Sequence, residues 1–182
     1  MNKLNWLHNL KKSNVSSLRK RLVGVKLLIL DFDGVLTNNK VYTAQDGVES
    51  VMCDRGDGLG LEYLKKYTDV EVLILSREKN PVTLARAKKL GVECISGIES
   101  KWEILQAEIK KRELSNQDVA FIGNDLNDIE CMSNVAVRIA VADAYPQVKK
   151  VANYISKHLG GHGAVREICE EIMRAKGVHP YH

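Results

Sequence analysis

The chain has 182 residues and a net charge of +4, from 27 basic and 23 acidic side chains, a length that suits one domain with its own core. Hydrophobic residues make up 45% and charged residues 27%, which excludes a disordered or collagen-like chain. No apolar run approaches the roughly 20 residues that cross a bilayer, so no membrane partner is expected. Four scattered cysteines without a CxxC pair argue against a zinc ribbon or disulfide framework and favour a cytoplasmic protein.

The basic excess lies at the start of the chain. Residues 1–30 hold seven Lys or Arg and no acidic residue, which leaves 20 basic and 23 acidic residues in the remainder. We expect residues 1–24 to be a basic extension that is solvated or contacts another subunit, and residues 177–182 to be a short tail. No nucleic-acid-binding motif accompanies the basic residues, so nucleic acid is not expected as a partner.

Short apolar runs alternate with helical patterns between residues 25 and 176. The runs 25–30, 70–75, 119–122 and 135–141 predict strands buried on both faces, as in a parallel sheet. Apolar residues at helical spacing predict helices around 59–64, 82–90, 102–109 and 165–173. This alternation favours an α/β fold with a doubly wound parallel sheet in a single domain.

The segment between residues 38 and 53 departs from this alternation. Its stretches 40–43 and 48–52 flank the tetrapeptide AQDG, and an Asp-Gly step is a strong signal for a β-hairpin turn. We therefore predict a hairpin inserted directly after the first strand.

Two carboxylates, Asp31 and Asp33, follow the first predicted strand, with Gly34 directly after them. If the strand continued, both would point to the same side, and two anions so close need a cation or a shared proton. Mg²⁺ prefers oxygen ligands and often binds one or two carboxylates together with a substrate phosphate. Gly34 would let the backbone approach a phosphate closely. Taken alone, such a pair is equally consistent with a helix N-cap or a turn.

Three further polar groups lie at strand or helix boundaries. Ser76 and Arg77 follow the second strand, where a hydroxyl and backbone N–H groups can hold phosphate oxygens or where the serine can cap a helix. Lys101 opens a helix, where the macrodipole disfavours a cation unless an anion or solvent accompanies it. The third strand leads into a turn with more oxygen-bearing side chains than a cap requires, namely Asn124, Asp125, Asn127 and Asp128.

These four groups converge if the strands are parallel, because ligands in open α/β sheets bind beyond the carboxyl ends of the strands. Two acids, a serine, a lysine and an amide-acid turn on one edge of a sheet support a Mg²⁺-dependent phosphoryl-transfer site more strongly than any one of them does.

In the order DFDGVLT, Ser76, Lys101 and GNDLND, the motifs resemble those of the haloacid dehalogenase superfamily, whose members are mostly phosphatases. The resemblance runs from about residue 26 to residue 173. It is narrower in the segments DFDGVLTNNKVY, CDRGDGLGLEYL, ILSREKNPV, AVADAYPQV and GGHGAVREIC. These are similar to the branch that contains 3-deoxy-D-manno-octulosonate 8-phosphate phosphatase and the phosphatases or phosphatase-like domains of sialic acid metabolism. The resemblance implies a Rossmann-like fold whose only cap is the hairpin.

Within that branch, DRGDGLG and SREKNPV are similar to segments of acylneuraminate proteins. The octulosonate enzymes usually read RDGYG and TGR at these places. We therefore expect the substrate to be the 9-phosphate of a nine-carbon keto sugar acid of the sialic type, with octulosonate 8-phosphate, a precursor for lipopolysaccharide, as the alternative. An interpretation of another class is a catalytically weak, phosphatase-like module that serves assembly.

The resemblance implies a role for each matching residue. Asp31 would attack phosphorus and form an aspartyl phosphate, and Asp33 would protonate the leaving sugar alkoxide and then activate water. Asp31, the backbone carbonyl of Asp33 and a residue of the GNDLND turn would bind Mg²⁺. Ser76 and Lys101 would hold the phosphoryl oxygens, and Asp128 would orient Lys101 or a metal-bound water.

Two features of the site remain open in the sequence. The octulosonate enzymes read GDD where this chain reads Gly123-Asn124-Asp125, so either Asn124 binds the metal through its amide oxygen, which we favour, or Asp125 replaces it. The resemblance also implies a homotetramer in which a neighbouring subunit closes each site. Arg55, just past the hairpin, would then pair with the carboxylate of the sugar or form a surface salt bridge.

Overall fold

The computed structural model describes residues 15–179 and builds them around one sheet of six parallel strands. The strands of this sheet are Leu27–Leu30 (β1), Glu71–Leu75 (β4), Glu93–Ile95 (β5), Val119–Gly123 (β6), Val137–Ala140 (β7) and Tyr154–Ile155 (β8). A separate antiparallel hairpin consists of Thr37–Thr43 (β2) and Glu49–Cys53 (β3). In space, the main sheet has the order β5-β4-β1-β6-β7-β8.

Helices flank this sheet. In the described part of the chain they are residues 15–22 (α1), Arg55–Tyr67 (α2), Val82–Leu90 (α3), Lys101–Lys111 (α4), Ile129–Asn134 (α5), Pro146–Val151 (α6) and Ala164–Ala175 (α7). Short 3₁₀ turns lie at Asn116–Asp118 and Leu126–Asp128. The predicted α/β fold with a hairpin insertion is confirmed, and residues 15–179 contain no larger cap domain.

Strand β1 lies at the centre of the sheet because all four of its residues are apolar and buried. Its last residue, Leu30, pairs with Ile74 of β4 on one side and with Ile122 of β6 on the other. The three parallel strands therefore end almost level with one another. The residues that follow them lie side by side at the carboxyl edge of the sheet, the edge at which ligands bind in such folds.

The hairpin leaves the sheet directly after the loop that follows β1. Val41 pairs with Val51 and Tyr42 with Ser50 in an antiparallel ladder. The turn is closed by a hydrogen bond from Val48 N to Asp46 Oδ1 (3.0 Å), and Gly47 adopts φ +81°, which glycine tolerates without strain. The Asp-Gly signal thus predicted the turn at the correct place.

The second half of the predicted basic extension packs on the domain. Residues 15–22 form a helix, and Leu18 and Leu22 on it are buried in the core. Arg19 forms an ion pair with Glu171 of α7 (2.6 Å). Because these two leucines are buried, residues 15–22 are not a solvated extension. Their burial stabilises the domain by roughly 1.5–3 kcal/mol for each leucine. Residues 1–14, and the tail beyond residue 179, lie outside the described residues.

The hydrophobic pattern of the sequence did not predict the shortest elements of the fold. Strands β5 and β8 have three and two residues, and helices α5 and α6 have six each. Such lengths are below what hydrophobic periodicity can resolve. Among residues 15–179 there is also no helix with the length and apolar character needed to cross a membrane.

Candidate active site

Three charged side chains form a buried line at the carboxyl edge of the sheet. Lys101 Nζ lies 2.6 Å from Asp31 Oδ1 and 2.7 Å from Asp128 Oδ1. No side chain of the three is more than 7% exposed. A buried ammonium is tolerated because two carboxylates compensate its charge and accept its hydrogen bonds. The lysine that looked misplaced at a helix start therefore has anionic partners.

The charges in this line shift one another's protonation. The pKa of Asp31 is raised to about 7; burial is the largest cause, the Asp128 carboxylate adds to it, and Lys101 opposes both effects. Burial disfavours the charged ammonium of Lys101, but Asp31 and Asp128 together outweigh that effect and raise its pKa. Two carboxylates share one cation here, so a second cation on the open side of Asp31 would keep that carboxylate ionised.

Asp128 holds the turn after β6 with its second oxygen. Asp128 Oδ2 accepts hydrogen bonds from Asn124 N (2.9 Å) and Asp125 N (3.2 Å). A Cβ at Gly123 would lie 2.6 Å from Asp128 Cβ, so glycine is required for this approach. Asp128 is fully buried, and it does not line the open cleft described below. The structure therefore places it behind the cleft, in contact with Lys101 and with the backbone of the turn.

An open cleft of about 460 Å³ lies in front of Asp31, a volume that suits a small-molecule ligand. Five of the predicted site residues line it, namely Asp31, Asp33, Ser76, Arg77 and Asp125. Ser76 is buried and its Oγ accepts a hydrogen bond from Glu78 N (3.1 Å). It does not cap a helix, since α3 begins only at Val82 with Pro81 as its N-cap. The convergence of strand ends therefore assembled these residues as predicted.

Asp33 is half-buried at the mouth of the cleft, and its pKa is raised. Burial is the main cause, the carboxylates of Glu78 and Glu49 add to it, and Lys101 opposes them. A raised pKa favours the protonated carboxyl, which is the form that donates a proton. Asp31 has a lysine within hydrogen-bond distance, whereas Asp33 has carboxylates nearby, so the two aspartates occupy different electrostatic environments.

Gly34 separates Asp31 and Asp33 from Asn124. Its backbone adopts φ +85°, and a Cβ there would lie 2.0 Å from Asn124 Nδ2. The close neighbour that requires glycine is therefore a side chain of the protein, whereas the sequence suggested a phosphate. Asn124 is buried, and its Oδ1 has no hydrogen-bond partner. An orphaned amide oxygen at this place fits a metal ligand.

Asp125 is the other candidate ligand in this turn. Its Oδ1 accepts a hydrogen bond from Leu126 N (2.6 Å) and so caps the following 3₁₀ turn, while the side chain borders the cleft. Within residues 15–179, no three His, Cys, Asp or Glu side chains are grouped to hold a metal. A metal at this edge would thus need an amide or backbone carbonyl oxygen besides its carboxylates, which agrees with Asn124.

Arg55 lies outside the cleft. It is the exposed first residue of α2 and lines a separate cavity of about 730 Å³ together with Cys53 and Arg86. The structure of one subunit therefore does not bring Arg55 to the predicted site. This position is compatible only with a role across a subunit boundary or at the surface.

Several cleft residues were missed by the sequence analysis. The signal that could have found Glu78 and Lys79 is their position directly after Ser76 and Arg77, past the end of a buried strand. Asn39 and Glu99 had no such signal, because the hairpin and the loop before α4 reach the cleft only through the tertiary fold. The missed lining residues are Asn39, Glu78, Lys79, Gly97, Ile98 and Glu99, whereas Asn127 of the predicted turn also lines the cleft.

Comparisons with known proteins place the chain in a family. A family described as haloacid dehalogenase-like hydrolase matches residues 60–168. The 3-deoxy-D-manno-octulosonate 8-phosphate phosphatase KdsC of Escherichia coli (strain K12) is 34% identical over 154 residues, which cover 84% of this chain and 81% of that protein.

Solved structures of proteins with that name are also similar. The 3-deoxy-D-manno-octulosonate 8-phosphate phosphatase of Yersinia pestis aligns with a TM-score of 0.85 and 32% identity, over 88% of this chain and 86% of the other. That of Moraxella catarrhalis, solved in complex with a magnesium ion, a phosphate ion and KDO, aligns with a TM-score of 0.85 and 31% identity, over 88% and 92%. The resemblance inferred from the motifs is confirmed.

The raised pKa of Asp31 makes a prediction about stability in the metal-free protein. The folded pKa of about 7 exceeds the ordinary value of 3.8, so the folded state binds an extra proton between these values. The contribution of Asp31 is therefore fully present below about pH 4 and is lost as the pH rises through about 7. We expect the Asp31→Asn variant to become more stable relative to wild type as the pH rises, by up to a few kcal/mol at about 1.4 kcal/mol per unit.

Urea unfolding in the presence of a chelator, at several values between about pH 5 and pH 8, measures this difference. Asp69 provides the control, because a hydrogen bond from Lys176 lowers the pKa of its carboxyl. That carboxyl stays ionised across the measured range, so the stability difference between Asp69→Asn and wild type should not change with pH there. A stability difference for Asp31→Asn that does not change with pH would contradict a raised pKa of Asp31 in the folded protein.

Proposed function

Because the chain belongs to the haloacid dehalogenase-like hydrolases, we propose that it is a Mg²⁺-dependent phosphatase of 3-deoxy-D-manno-octulosonate 8-phosphate. The observation that carries the proposal is the buried line of Asp31, Lys101 and Asp128 at the carboxyl edge of the sheet, in a chain 34% identical to an enzyme named for that reaction. The comparisons favour this eight-carbon alternative, and none of them supports the nine-carbon, sialic-type substrate expected from DRGDGLG and SREKNPV.

The proposed reaction proceeds through an aspartyl phosphate. The carboxylate of Asp31 attacks phosphorus, and the sugar alkoxide leaves as Asp33 donates a proton to it. Asp33, now ionised, takes a proton from the water that hydrolyses the acyl phosphate. Lys101, held by Asp128, places a positive charge beside the carboxylate of Asp31, and Ser76 with the backbone after β4 orients the phosphoryl oxygens.

The residues at this edge fit a magnesium ion. Asp31, the backbone carbonyl of Asp33 and Asn124 Oδ1 would hold it, and the orphaned state of that amide oxygen supports this set. When bound, Mg²⁺ supplies positive charge that offsets the repulsion between an anionic nucleophile and an anionic phosphate ester. A relative of known structure, the enzyme of Moraxella catarrhalis, was solved with magnesium, phosphate and KDO.

A catalytically weak assembly module is the less well supported interpretation. Such a module would not need a nucleophile, a proton donor and a lysine held in register by a fourth residue. Asp31, Lys101 and Asp128 form this arrangement here, and Asp33 lies beside it in the same cleft. This arrangement supports an active phosphatase. For such an enzyme we also propose a cytoplasmic location.

A homotetramer with active sites at subunit interfaces also remains a proposal. The hairpin exposes large apolar side chains, with Val41, Tyr42, Val48 and Met52 between 43% and 66% exposed. Clustered apolar exposure on a small element is typical of an interaction surface. An interface there would bring a second subunit to the cleft, and Arg55 of that neighbour could then pair with the carboxylate of the sugar.

The substrate assignment is tested by steady-state kinetics with Mg²⁺. We expect kcat/KM to be higher for octulosonate 8-phosphate than for nonulosonate 9-phosphates. Asp31→Asn should lower kcat by about 10³-fold or more, because the nucleophile is lost, whereas Asp69→Asn should not. A higher kcat/KM for a nine-carbon substrate would favour the sialic-type substrate instead. Equal turnover in wild type and Asp31→Asn would favour the assembly module.

The third metal ligand is tested by substitution in the turn after β6. Asn124→Ala should raise the Mg²⁺ concentration for half-maximal activity by about tenfold or more, because its amide oxygen is lost. Asn124→Asp should lower that concentration, because a charged oxygen replaces a neutral one. Asp125→Ala is the matched comparison and should have the smaller effect. A larger effect of Asp125→Ala would assign the ligand to Asp125 instead.

The proposed interface is tested on the hairpin. Tyr42→Glu should shift the mass measured by light scattering from a tetramer to a smaller species, because a charge cannot be buried unpaired. It should also lower kcat/KM for the sugar substrate more than for p-nitrophenyl phosphate, which has no carboxylate to bind. Leu84→Glu, on the exposed surface of α3, is the control. A wild-type protein that is monomeric, yet fully active, would rule out the interface.

A further inference from the structure

The first turn of α7 is capped by a side chain from another helix. The N-cap residue of α7 is Gly163, which has no side chain to accept from the free N–H groups of that turn. Asp57, in the first turn of α2, accepts a hydrogen bond from Arg166 N with its Oδ1 (2.8 Å). Asp57 is fully buried. A carboxylate is thus placed at the positive end of a helix, where it is electrostatically favoured.

The packing of α2 against α7 makes this contact possible. Gly60 lies one turn after Asp57, and a Cβ there would come within 3.0 Å of the Arg166 backbone. The two helices can therefore approach closely only because this position is glycine. Burial raises the pKa of Asp57 to about 6, even though the hydrogen bond from Arg166 N favours its charged form. Placing an acid here is energetically costly, which suggests a role beyond packing.

The segment that leads into α7 lies directly on the catalytic loop. A Cβ at Gly160 would lie 1.8 Å from the carbonyl oxygen of Gly34. The next residue, Gly161, donates a hydrogen bond from its N to Val35 O (2.9 Å). Gly34 contacts Asn124 as well. The loop that carries Asp31 and Asp33 is thus enclosed by the α7 segment and the turn after β6.

We propose that Asp57 is a positioning residue of the phosphatase reaction. By holding the first turn of α7, it keeps residues 160–163 against Gly34 and so fixes the loop between Asp31 and Thr37. Misplacement of reacting groups by about 1 Å costs on the order of 10²-fold in rate, so a small shift of this loop would slow catalysis. The inference rests on the proposed function, because it assigns Asp57 a role in that reaction.

The test compares two substitutions of Asp57. Asp57→Ala removes the acceptor, and we expect kcat to fall by about 10- to 100-fold with KM for the sugar changed less than about threefold. Asp57→Asn keeps an oxygen that can accept from Arg166 N, and it should restore kcat to within about threefold of wild type. Both are assayed well below the unfolding temperature of each variant.

Asp118→Ala is the matched control. Asp118 caps a 3₁₀ turn through Ser115 N (2.8 Å), but it lies just before β6, at the opposite edge of the sheet. It should lower the melting temperature and leave kcat unchanged. Asp57→Ala with a lowered melting temperature and wild-type kcat would overturn the proposal, because the role would then be structural alone. So would Asp57→Asn with a kcat as low as that of Asp57→Ala.

A further variant keeps the proposal testable if Asp57→Ala does not fold. Gly60→Ala retains the carboxylate but pushes α7 away from α2, and it should lower kcat in the same way; an unchanged kcat would count against the proposal. All variants are assayed with octulosonate 8-phosphate and with p-nitrophenyl phosphate. If the wild type is active only on p-nitrophenyl phosphate, the substrate assignment is refuted, and the kcat values of the Asp57 variants are then compared with that substrate. A wild type inactive on both overturns the function and this inference together.

Discussion

Lys101 is the interaction on which the site depends, since it holds two buried carboxylates that would otherwise repel each other. Asp31 follows the central strand and Asp128 belongs to the turn after β6, while Lys101 begins α4. One ammonium therefore ties three elements together at the carboxyl edge of the sheet. Removal of a buried ion's partner typically costs several kcal/mol, so this arrangement couples the stability of the fold to the geometry of the nucleophile.

Burial raises the pKa of both Asp31 and Asp33, but their charged neighbours differ. The proposed phosphoryl transfer needs Asp31 as an anion and Asp33 as an acid. Lys101 supplies one positive charge to Asp31, and a bound divalent cation would supply more. Asp33 instead lies near Glu78 and Glu49, which favour its protonated form. In the proposed reaction, two identical side chains, two residues apart, would thus take opposite roles because of their surroundings.

Close contact between three loops replaces a cap domain in fixing this geometry. Gly34, Gly123 and Gly160 each lie where a Cβ would overlap a neighbouring group. The absence of side chains at these positions lets the catalytic loop, the turn after β6 and the segment before α7 pack on one another. The cleft itself stays open toward the hairpin, so exclusion of water from the reaction falls to whatever covers the hairpin's apolar side chains.

The amino-acid sequence by itself determined the fold class, the hairpin and the edge of the sheet at which the chemistry lies. Short apolar runs predict buried parallel strands, and an Asp-Gly step predicts a hairpin turn. Once the strands are predicted, the residues that follow each of them can be identified from the sequence. The sequence could not show that Lys101 contacts residues 70 and 27 positions away, that Asp57 reaches a helix 109 positions later, or that residues 15–22 are buried.

The motif DRGDGLG indicated a sialic-type substrate, and the comparisons with known proteins do not support that substrate. Arg55 in that motif lies away from the cleft of its own chain, so within one chain the motif does not line the surface that a substrate would meet. Contacts between distant segments, and between subunits, are decided by the packing of whole elements. No local pattern predicts that packing, because its free energy comes from contacts between residues that lie far apart in the sequence.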